Sequence, residues 1–240
     1  MSNKLRGLRT AVPLLHQQCR GYHQHTIQAI PRELSGRRIA ARDRAQGRIP
    51  AVVFSHGLLE NNTLSQSASR KVLLTTEKKQ IHSLLKSVEL PFFLSTVFSL
   101  QIRAGSGSSL LLESGRVLPI KVHREKETGR ILNLVFVWAE DGEQLKVDVP
   151  IVFKGQEECI GIRKGGSLNR TRSSLKFLCP TEHIPQKIEV DISKLDIEDR
   201  ISMKDIEVHP SLKLLSINDR IPVCKIVSAK LENQDVIAEP

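Results

Sequence analysis

RRIAARDRAQGRIPAVVF, residues 37–54, places five arginines directly before a strand-like run. The arginines are Arg37, Arg38, Arg42, Arg44 and Arg48, and Asp43 is the only acidic residue among them. The arginine-rich part predicts a turn or short helix, and the β-branched and aromatic residues of IPAVVF predict a strand. Because ion pairs within the stretch cannot neutralise the cluster, its charge suits either a solvated surface or a polyanionic partner.

Charge is distributed unevenly along the 240 residues, whose formal net charge is +10. Residues 33–138 carry 16 basic and 8 acidic side chains, whereas residues 139–240 carry 15 basic and 18 acidic ones. The composition changes at AEDGEQ, residues 139–144, where we place a domain boundary. The asymmetry predicts a polyanionic partner for the first half and favours protein partners for the second.

The N-terminal segment is basic and lacks acidic residues up to Glu33. Leu5, Leu8, Val12 and Leu15 recur at helical spacing among its arginines. This pattern is typical of a mitochondrial transit peptide, which we expect to span residues 1–25. The alternative is a disordered basic arm that binds RNA.

Hydrophobic patterning in residues 26–139 predicts a small barrel of about six strands with one clear helix. The helix is expected at residues 77–88, from apolar residues at i, i+3, i+4 and i+7, with Thr75 or Thr76 as its N-cap. Two apolar runs, residues 92–104 and 108–123, meet at the glycine-rich sequence AGSGS and predict a hairpin. Along residues 131–139, alternation places Asn133 and Val135 on one face and Leu134, Phe136 and Trp138 on the other.

Residues 140–229 are predicted to form a second, β-rich domain, followed by a flexible tail at residues 230–240. Its expected strands are QLKVDVPIVF, RSSLKFLC, KIEVDIS and IPVCKIVSA. The chain is therefore expected to be mainly β, with a barrel followed by a C-terminal β domain.

Catalytic and metal-binding patterns are weak throughout the sequence. Ser55 and His56 lack the surroundings of a nucleophile elbow, and Asp191, Asp196 and Asp199 fit a solvated face. The four cysteines have no zinc-site spacing, and the longest apolar run, residues 90–100, is too short to span a membrane. We therefore expect no enzyme activity, cofactor, metal, membrane association or small-molecule substrate.

Aromatic residues make up only 4% of the chain. Proteins that bind single strands usually stack bases on exposed aromatic rings. Arginines without such rings fit a structured RNA or DNA helix, held by its phosphates and groove edges.

The stretch GRIPAVVF after an arginine-rich segment resembles the opening of the large-subunit ribosomal protein twenty-five family, bacterial binders of 5S rRNA. VLPIKVHREKETGRILNLVFVWA, residues 117–139, is similar to that family's paired closing strands. The second half resembles the extra β domain of the long, general-stress (Ctc) form, at LKVDVPIVFKG, GIRKGGSLNR, CPTEHIPQKIEVDIS and ISMKDIEVHPSLKLL. Together with the basic N-terminal segment, the resemblance implies a mitochondrial version in the matrix.

The resemblance implies a six-stranded barrel like the anticodon-binding domain of glutaminyl-tRNA synthetase, docked on a distorted 5S rRNA helix. The five arginines would hold phosphates, and further RNA contacts would come from Lys121, His123, Arg124 and Asn133. Three positions depart from the family: Asn133 replaces a usual His, Val135 a usual Asp and Phe54 a common Tyr. The departures predict that phosphate contacts are kept and base-edge contacts are weakened or moved.

Neighbouring large-subunit rRNA and ribosomal proteins are the other expected partners. The acidic half is predicted to contact proteins, or RNA only through local patches such as Arg163, Lys164, Arg170 and Arg172. Two alternatives stay open: ribosome attachment mainly by protein contacts, and a non-ribosomal factor that binds structured RNA, such as a tRNA-binding or stress factor.

Overall fold

A computed structural model of the chain describes residues 25–55, 71–215 and 221–228. The predicted transit peptide up to residue 24, the segment at residues 56–70 and the predicted tail lie outside these ranges. In the described part of the first half, the elements are β1 (Thr26–Pro31), α1 (Arg37–Ala45), β2 (Arg48–Phe54), β3 (Lys71–Glu77), α2 (Lys78–Ser87), α3 (Leu90–Phe93), β4 (Phe98–Arg103), β5 (Leu111–Arg124) and β6 (Ile131–Trp138).

The six strands close into a barrel in the order β1, β3, β2, β6, β5, β4. β1 is parallel to β4 and β2 is parallel to β6, while the other neighbouring pairs are antiparallel. Leu134, Phe136 and Trp138 of β6 are buried in the barrel core, whereas Asn133 lies exposed on the outer side. The predicted six-stranded barrel and the predicted division of faces along β6 are confirmed.

Helix α2 confirms the predicted helix, but its predicted N-cap is wrong. Thr75 and Thr76 belong to β3, where they pair with Ile30 and Ala29 of β1 and with Pro50 and Ile49 of β2. The β-branched threonines extend the strand, and the Thr76 hydroxyl donates to the Ile49 carbonyl at 3.3 Å. The N-cap is Glu77, which makes no side-chain capping bond.

The predicted hairpin is confirmed by the antiparallel pairing of β4 with β5. Its first strand, β4, starts later than the predicted run at residues 92–104, because residues Leu90–Phe93 form the short helix α3 with Pro91 in its first turn. In β5, Gly115 leaves room for the Trp138 ring: a Cβ at residue 115 would lie 2.7 Å from Trp138 Cζ3. The hairpin and the barrel core are therefore packed together at this glycine.

In the described part of the second half, two small sheets form a second core. The elements are β7 (Gln144–Lys154), α4 (Ile160–Arg163), β8 (Gly166–Arg170), β9 (Ser174–Pro180), β10 (Ile188–Asp191), β11 (Arg200–Ser202), β12 (Lys213–Leu214) and β13 (Pro222–Ser228). The sheet orders are β10-β7-β9-β12 and β11-β13-β8. β7, β9, β10 and β13 were predicted, whereas β8, β11 and β12 were not.

The barrel wall contributes to this second core. Leu118 and Val137 are neighbours across β5 and β6, and both are buried with Ala139 among the apolar residues of the second half. One hydrogen bond crosses the same boundary, from Ser95 Oγ to the Gln186 carbonyl at 2.7 Å. Directly after the boundary, Thr181 Oγ1 donates to the Glu140 carbonyl at 2.8 Å. The second half therefore packs directly on the outer side of β5 and β6.

Acidic side chains of the second half are paired locally with lysines. Glu189 forms ion pairs with Lys154 and Lys187, whose hydrogen bonds lower its pKa to about 2. The ion pair with Lys164 likewise lowers the pKa of Asp196. These carboxylates remain charged well into acidic pH.

Three cysteines of the second half, Cys159, Cys179 and Cys224, are buried free thiols. Burial raises the pKa of Cys179 to about 11 and also raises that of Cys224. Both thiols are therefore poor nucleophiles at neutral pH, because the thiolate is the reactive form.

Candidate nucleic-acid interface

Helix α1 contains the centre of the arginine cluster. It begins after Gly36 and ends at Gln46 and Gly47, whose N–H groups donate to the carbonyls of Arg42 and Arg44. Gly47 has φ +77°, a conformation that favours glycine and that turns the chain into β2. The predicted turn or short helix is thus a helix of nine residues, held at a fixed place before the strand.

The two sides of α1 differ in burial. Ile39, Ala40, Asp43 and Arg44 are half-buried on the side that faces the barrel, where α1 packs on β2. Arg37, Arg38 and Arg42 are exposed on the opposite side. No ion pair joins these three arginines to any residue within the described ranges.

Polar contacts attach α1 to the barrel. Asp43 forms an ion pair with Arg32 at the end of β1, with Arg32 Nη1 and Asp43 Oδ2 3.4 Å apart. Arg44 Nη1 donates to the Leu132 carbonyl of β6 at 3.2 Å, and Arg130 Nη2 donates to the Arg44 carbonyl at 3.3 Å. The only acidic residue of the stretch is therefore used by an arginine outside it, and Arg44 has a structural role.

The predicted strand contacts lie where β5 ends and β6 begins. His123 of β5 is the register partner of Asn133 of β6, and Lys121 is the partner of Val135. The side chains of Lys121, His123, Arg124 and Asn133 are all exposed. A register shift between His123 and Arg124 shows a bulge or irregularity, a feature that redirects side chains near strand ends.

The three positions that depart from the family pattern lie on the outer side of β2 and β6. Asn133 is exposed, while Val135 and Phe54 are half-buried. Lys71 Nζ lies over the face of the Phe54 ring, 5.8 Å from its centre. Two of these three positions therefore present apolar groups.

The structure brings most of the predicted residues into one area. The Arg44 contacts join the C-terminal end of α1 to the start of β6, next to His123, Arg124 and Asn133. Arg37 and Arg38 lie at the other end of the helix, about 10 Å along its axis. Sequence reasoning missed Arg130, which lies in the β5–β6 turn and touches α1; its only sequence signal is a basic residue beside a strand start.

The basic residues predicted for local RNA patches in the second half are largely engaged within the protein. Lys164 pairs with Asp196, and Arg163 Nε donates to the Glu157 carbonyl at 3.1 Å. The Arg170 guanidinium lies 5.6 Å from the centre of the Phe153 ring. This region is thus less available to a polyanion than the exposed side of α1.

The acidic candidates have local structural partners. Asp191 accepts from the Ser193 N–H at 2.9 Å, and Asp199 accepts from the Asp196 N–H at 2.8 Å. Among the described residues there is no group of three or more His, Cys, Asp or Glu side chains suited to a metal ion. Within the same ranges, no helix is long and apolar enough to cross a membrane.

The fold and its surface define a class of protein: a closed six-stranded barrel with an exposed arginine helix, followed by a second β unit. Two family models match the sequence, one for each half. The model of the ribosomal L25p family matches residues 27–136, and the model of the ribosomal protein TL5 C-terminal domain matches residues 144–230. The chain belongs to the bL25 family of large ribosomal subunit proteins, in the longer form that carries a TL5-type C-terminal domain.

Relatives with the name large ribosomal subunit protein bL25 match most of the chain. The protein of Orientia tsutsugamushi is 28% identical over 193 residues, which cover 80% of this chain and 82% of the relative. The protein of Gloeobacter violaceus is 29% identical over 196 residues, with coverage of 80% and 82%. The family consists of ribosomal structural proteins and not of enzymes, which confirms that expectation.

Proposed function

We propose that this chain is a mitochondrial large-subunit protein that binds 5S rRNA through α1 and the adjoining ends of β5 and β6. The observation that carries the proposal is the exposed side of α1. Arg37, Arg38 and Arg42 have no acidic partner among the described residues, and contacts on the opposite side fix the helix on the barrel. Rigidly held, unpaired arginines suit the regularly spaced phosphates of an RNA helix.

The strand ends would complete this surface. Arg48 lies at the start of β2, and Lys121, His123, Arg124 and Asn133 lie exposed nearby on β5 and β6. Val135 and Phe54 offer no polar group to a base, so phosphate contacts dominate the proposed interface. Arg44 contributes mainly by holding the helix, because its guanidinium is bonded to Leu132.

The mitochondrial location rests on the N-terminal sequence, with residues 1–25 as a transit peptide. N-terminal sequencing of the protein purified from mitochondria tests it, and removal of the segment is the expected result. An intact Met1 in the mature protein would reject the transit peptide.

The two halves are proposed to be domains, a barrel at residues 26–139 and a β domain at residues 140–229, followed by a tail at 230–240. The net negative charge of the second half and the local pairing of its cations support a role in contacts with neighbouring ribosomal proteins. The second half packs on β5 and β6, and this position leaves the exposed side of α1 uncovered.

The salt dependence of 5S rRNA binding tests the interface. If about five phosphates are neutralised, log K falls against log salt with a slope of about −3.5 to −4.5. Replacing Arg37, Arg38 and Arg42 with alanine should flatten that slope by about 2–3. A matched control is Arg200→Ala, an exposed arginine of β11, which should change nothing.

Salt-independent binding, or equal affinity for 5S rRNA and an unrelated duplex, would contradict the proposal. Sedimentation supplies an independent test: the protein should travel with the large subunit on a sucrose gradient. Finding it only at the top of the gradient would reject the ribosomal assignment for this chain in the organelle.

A further inference from the structure

Helix α2 carries a second set of basic side chains that the proposed interface does not include. Its exposed side presents Lys78, Lys79, His82 and Lys86. The helix itself, KKQIHSLLKS, contains no acidic residue. Within the described ranges, none of these four side chains has an ion-pair partner.

The position of α2 is fixed by its other side. Ile81 and Leu84 are buried in the barrel core. The Gln80 side chain accepts from the Gln28 N–H at 3.0 Å and donates to the Thr26 carbonyl at 2.9 Å, which ties the helix to the start of β1. The lysines are therefore presented by a rigid element, as the arginines of α1 are.

The two basic helices are joined through Gly47, which lies two residues after the end of α1. The Lys78 N–H donates to the Gly47 carbonyl at 2.9 Å, so the N-terminal end of α2 adjoins the C-terminal end of α1. Arg48, the first residue of β2, lies between them and pairs in register with Glu77, the residue before α2. The exposed basic residues of α1 and of α2 thus lie on either side of Arg48, which is half-buried.

Helix folding does not favour lysines at these places. Lys78 and Lys79 occupy the first turn, where the helix dipole is positive and acidic residues are preferred. A negatively charged partner at this end would reverse that unfavourable interaction. Lys79 and Lys86 are seven residues apart, or about 10 Å along the helix axis, so they can reach different phosphates of one strand.

We infer that the lysine side of α2 is a second phosphate-binding segment, which extends the RNA footprint of α1 past Arg48. This inference rests on the proposed function, since it names a further part of the same RNA-binding surface. The chemistry that it requires is a run of backbone phosphates, without base recognition.

The test compares three proteins in 5S rRNA binding over a range of salt concentrations. Lys79→Gln combined with Lys86→Gln should flatten the salt slope by about 1.4–1.8, the value for two phosphates. Lys79→Arg combined with Lys86→Arg keeps the charges and should retain the wild-type slope. Because all these side chains are exposed, thermal unfolding should stay within about 2 °C of the wild type.

Hydroxyl-radical footprinting of the bound RNA gives a second measurement. The glutamine variant should lose protection at one end of the footprint, whereas Arg38→Ala with Arg42→Ala should lose it elsewhere.

If the wild type shows no salt-dependent binding, the proposed function itself fails. If the variant with Arg38→Ala and Arg42→Ala is impaired while the variant with Lys79→Gln and Lys86→Gln keeps the wild-type slope and footprint, only the inference about α2 is rejected. The inference also fails if the glutamine variant binds 5S rRNA normally but no longer enters the large subunit, because that result assigns α2 to a protein partner.

Discussion

Helix α1 contains one arginine that is bonded to the barrel and others that are exposed, and replacing one of each kind should affect the stability of the protein differently. Arg44→Ala removes the bond between Arg44 Nη1 and the Leu132 carbonyl, which attaches the helix to β6. Arg42→Ala, only two residues away, removes an exposed side chain with no partner among the described residues. The pair therefore separates a structural contribution from an electrostatic one within a single helix.

The size of the effect follows from the bond that is lost. A hydrogen bond with a charged donor contributes about 1.5–3 kcal/mol, and the half-buried position of Arg44 favours the lower part of that range. For a chain of this size each kcal/mol corresponds to about 2–4 °C in Tm. We expect Arg44→Ala to lower the Tm by about 3–6 °C and Arg42→Ala to change it by less than about 2 °C.

Fluorescence of Trp138 is the suitable measurement, because it is the only tryptophan of the chain and lies in the barrel core. In the RNA-binding assay, Arg42→Ala should flatten the salt slope by about one, whereas Arg44→Ala should weaken binding with a smaller change in slope. Equal Tm values for the two variants would refute the assignment of Arg44 as an attachment residue.

Three further predictions concern packing, pH and thiol reactivity. Gly115→Ala should destabilise the barrel by about 1–3 kcal/mol in chemical denaturation, because the new methyl group meets the Trp138 ring. The control is Gly105→Ala, where a Cβ has open space, and it should leave the stability unchanged. The pKa of Glu189 is about 2 in the folded state, below its ordinary value of 4.5, so the unfolded state binds more protons between these values and this contribution to stability is lost as pH falls through that window. Amide-exchange protection factors in β10, which are corrected for the pH dependence of intrinsic exchange, should fall between pH 5 and 2, and constant protection factors would contradict the prediction. Cys179, with its pKa raised to about 11, should resist alkylation at pH 8 until denaturant is added, and rapid labelling of the native protein would disprove its burial.

Local patterns predicted the barrel well, because its strands carry regular alternation and its helix α2 has a clear apolar face. The N-cap of α2 was wrong because the chain passes directly from β3 into the helix, and the pairing of Thr76 with Ile49 extends the strand. The strands β11 and β12 were missed because three and two residues are too few to show a period. β8 was missed because Leu168 is the only large apolar residue of its sequence GSLNR. Their pairing depends on partners far away in the sequence.

The sequence predicted which residues form the candidate site, but not which of them attach the helix to the barrel and which face outward. The run of arginines was visible in the sequence, yet nothing local separates Arg44, which faces the barrel, from Arg42, which faces outward. The contact of Arg130 with α1 and that of Lys78 with Gly47 join residues 86 and 31 positions apart, respectively. Such neighbours follow from barrel closure, which a sequence pattern cannot specify.

The apolar wall formed by Leu118 and Val137 has a consequence for biosynthesis. The last barrel strand, β6, ends at residue 138, whereas β13, which completes the second core, ends about ninety residues later. A barrel that closes before the second core has formed therefore exposes these apolar residues until β7 to β13 cover them. The chain thus passes through a partly folded intermediate with an exposed apolar surface, and we expect molecular chaperones to bind it most strongly at that stage.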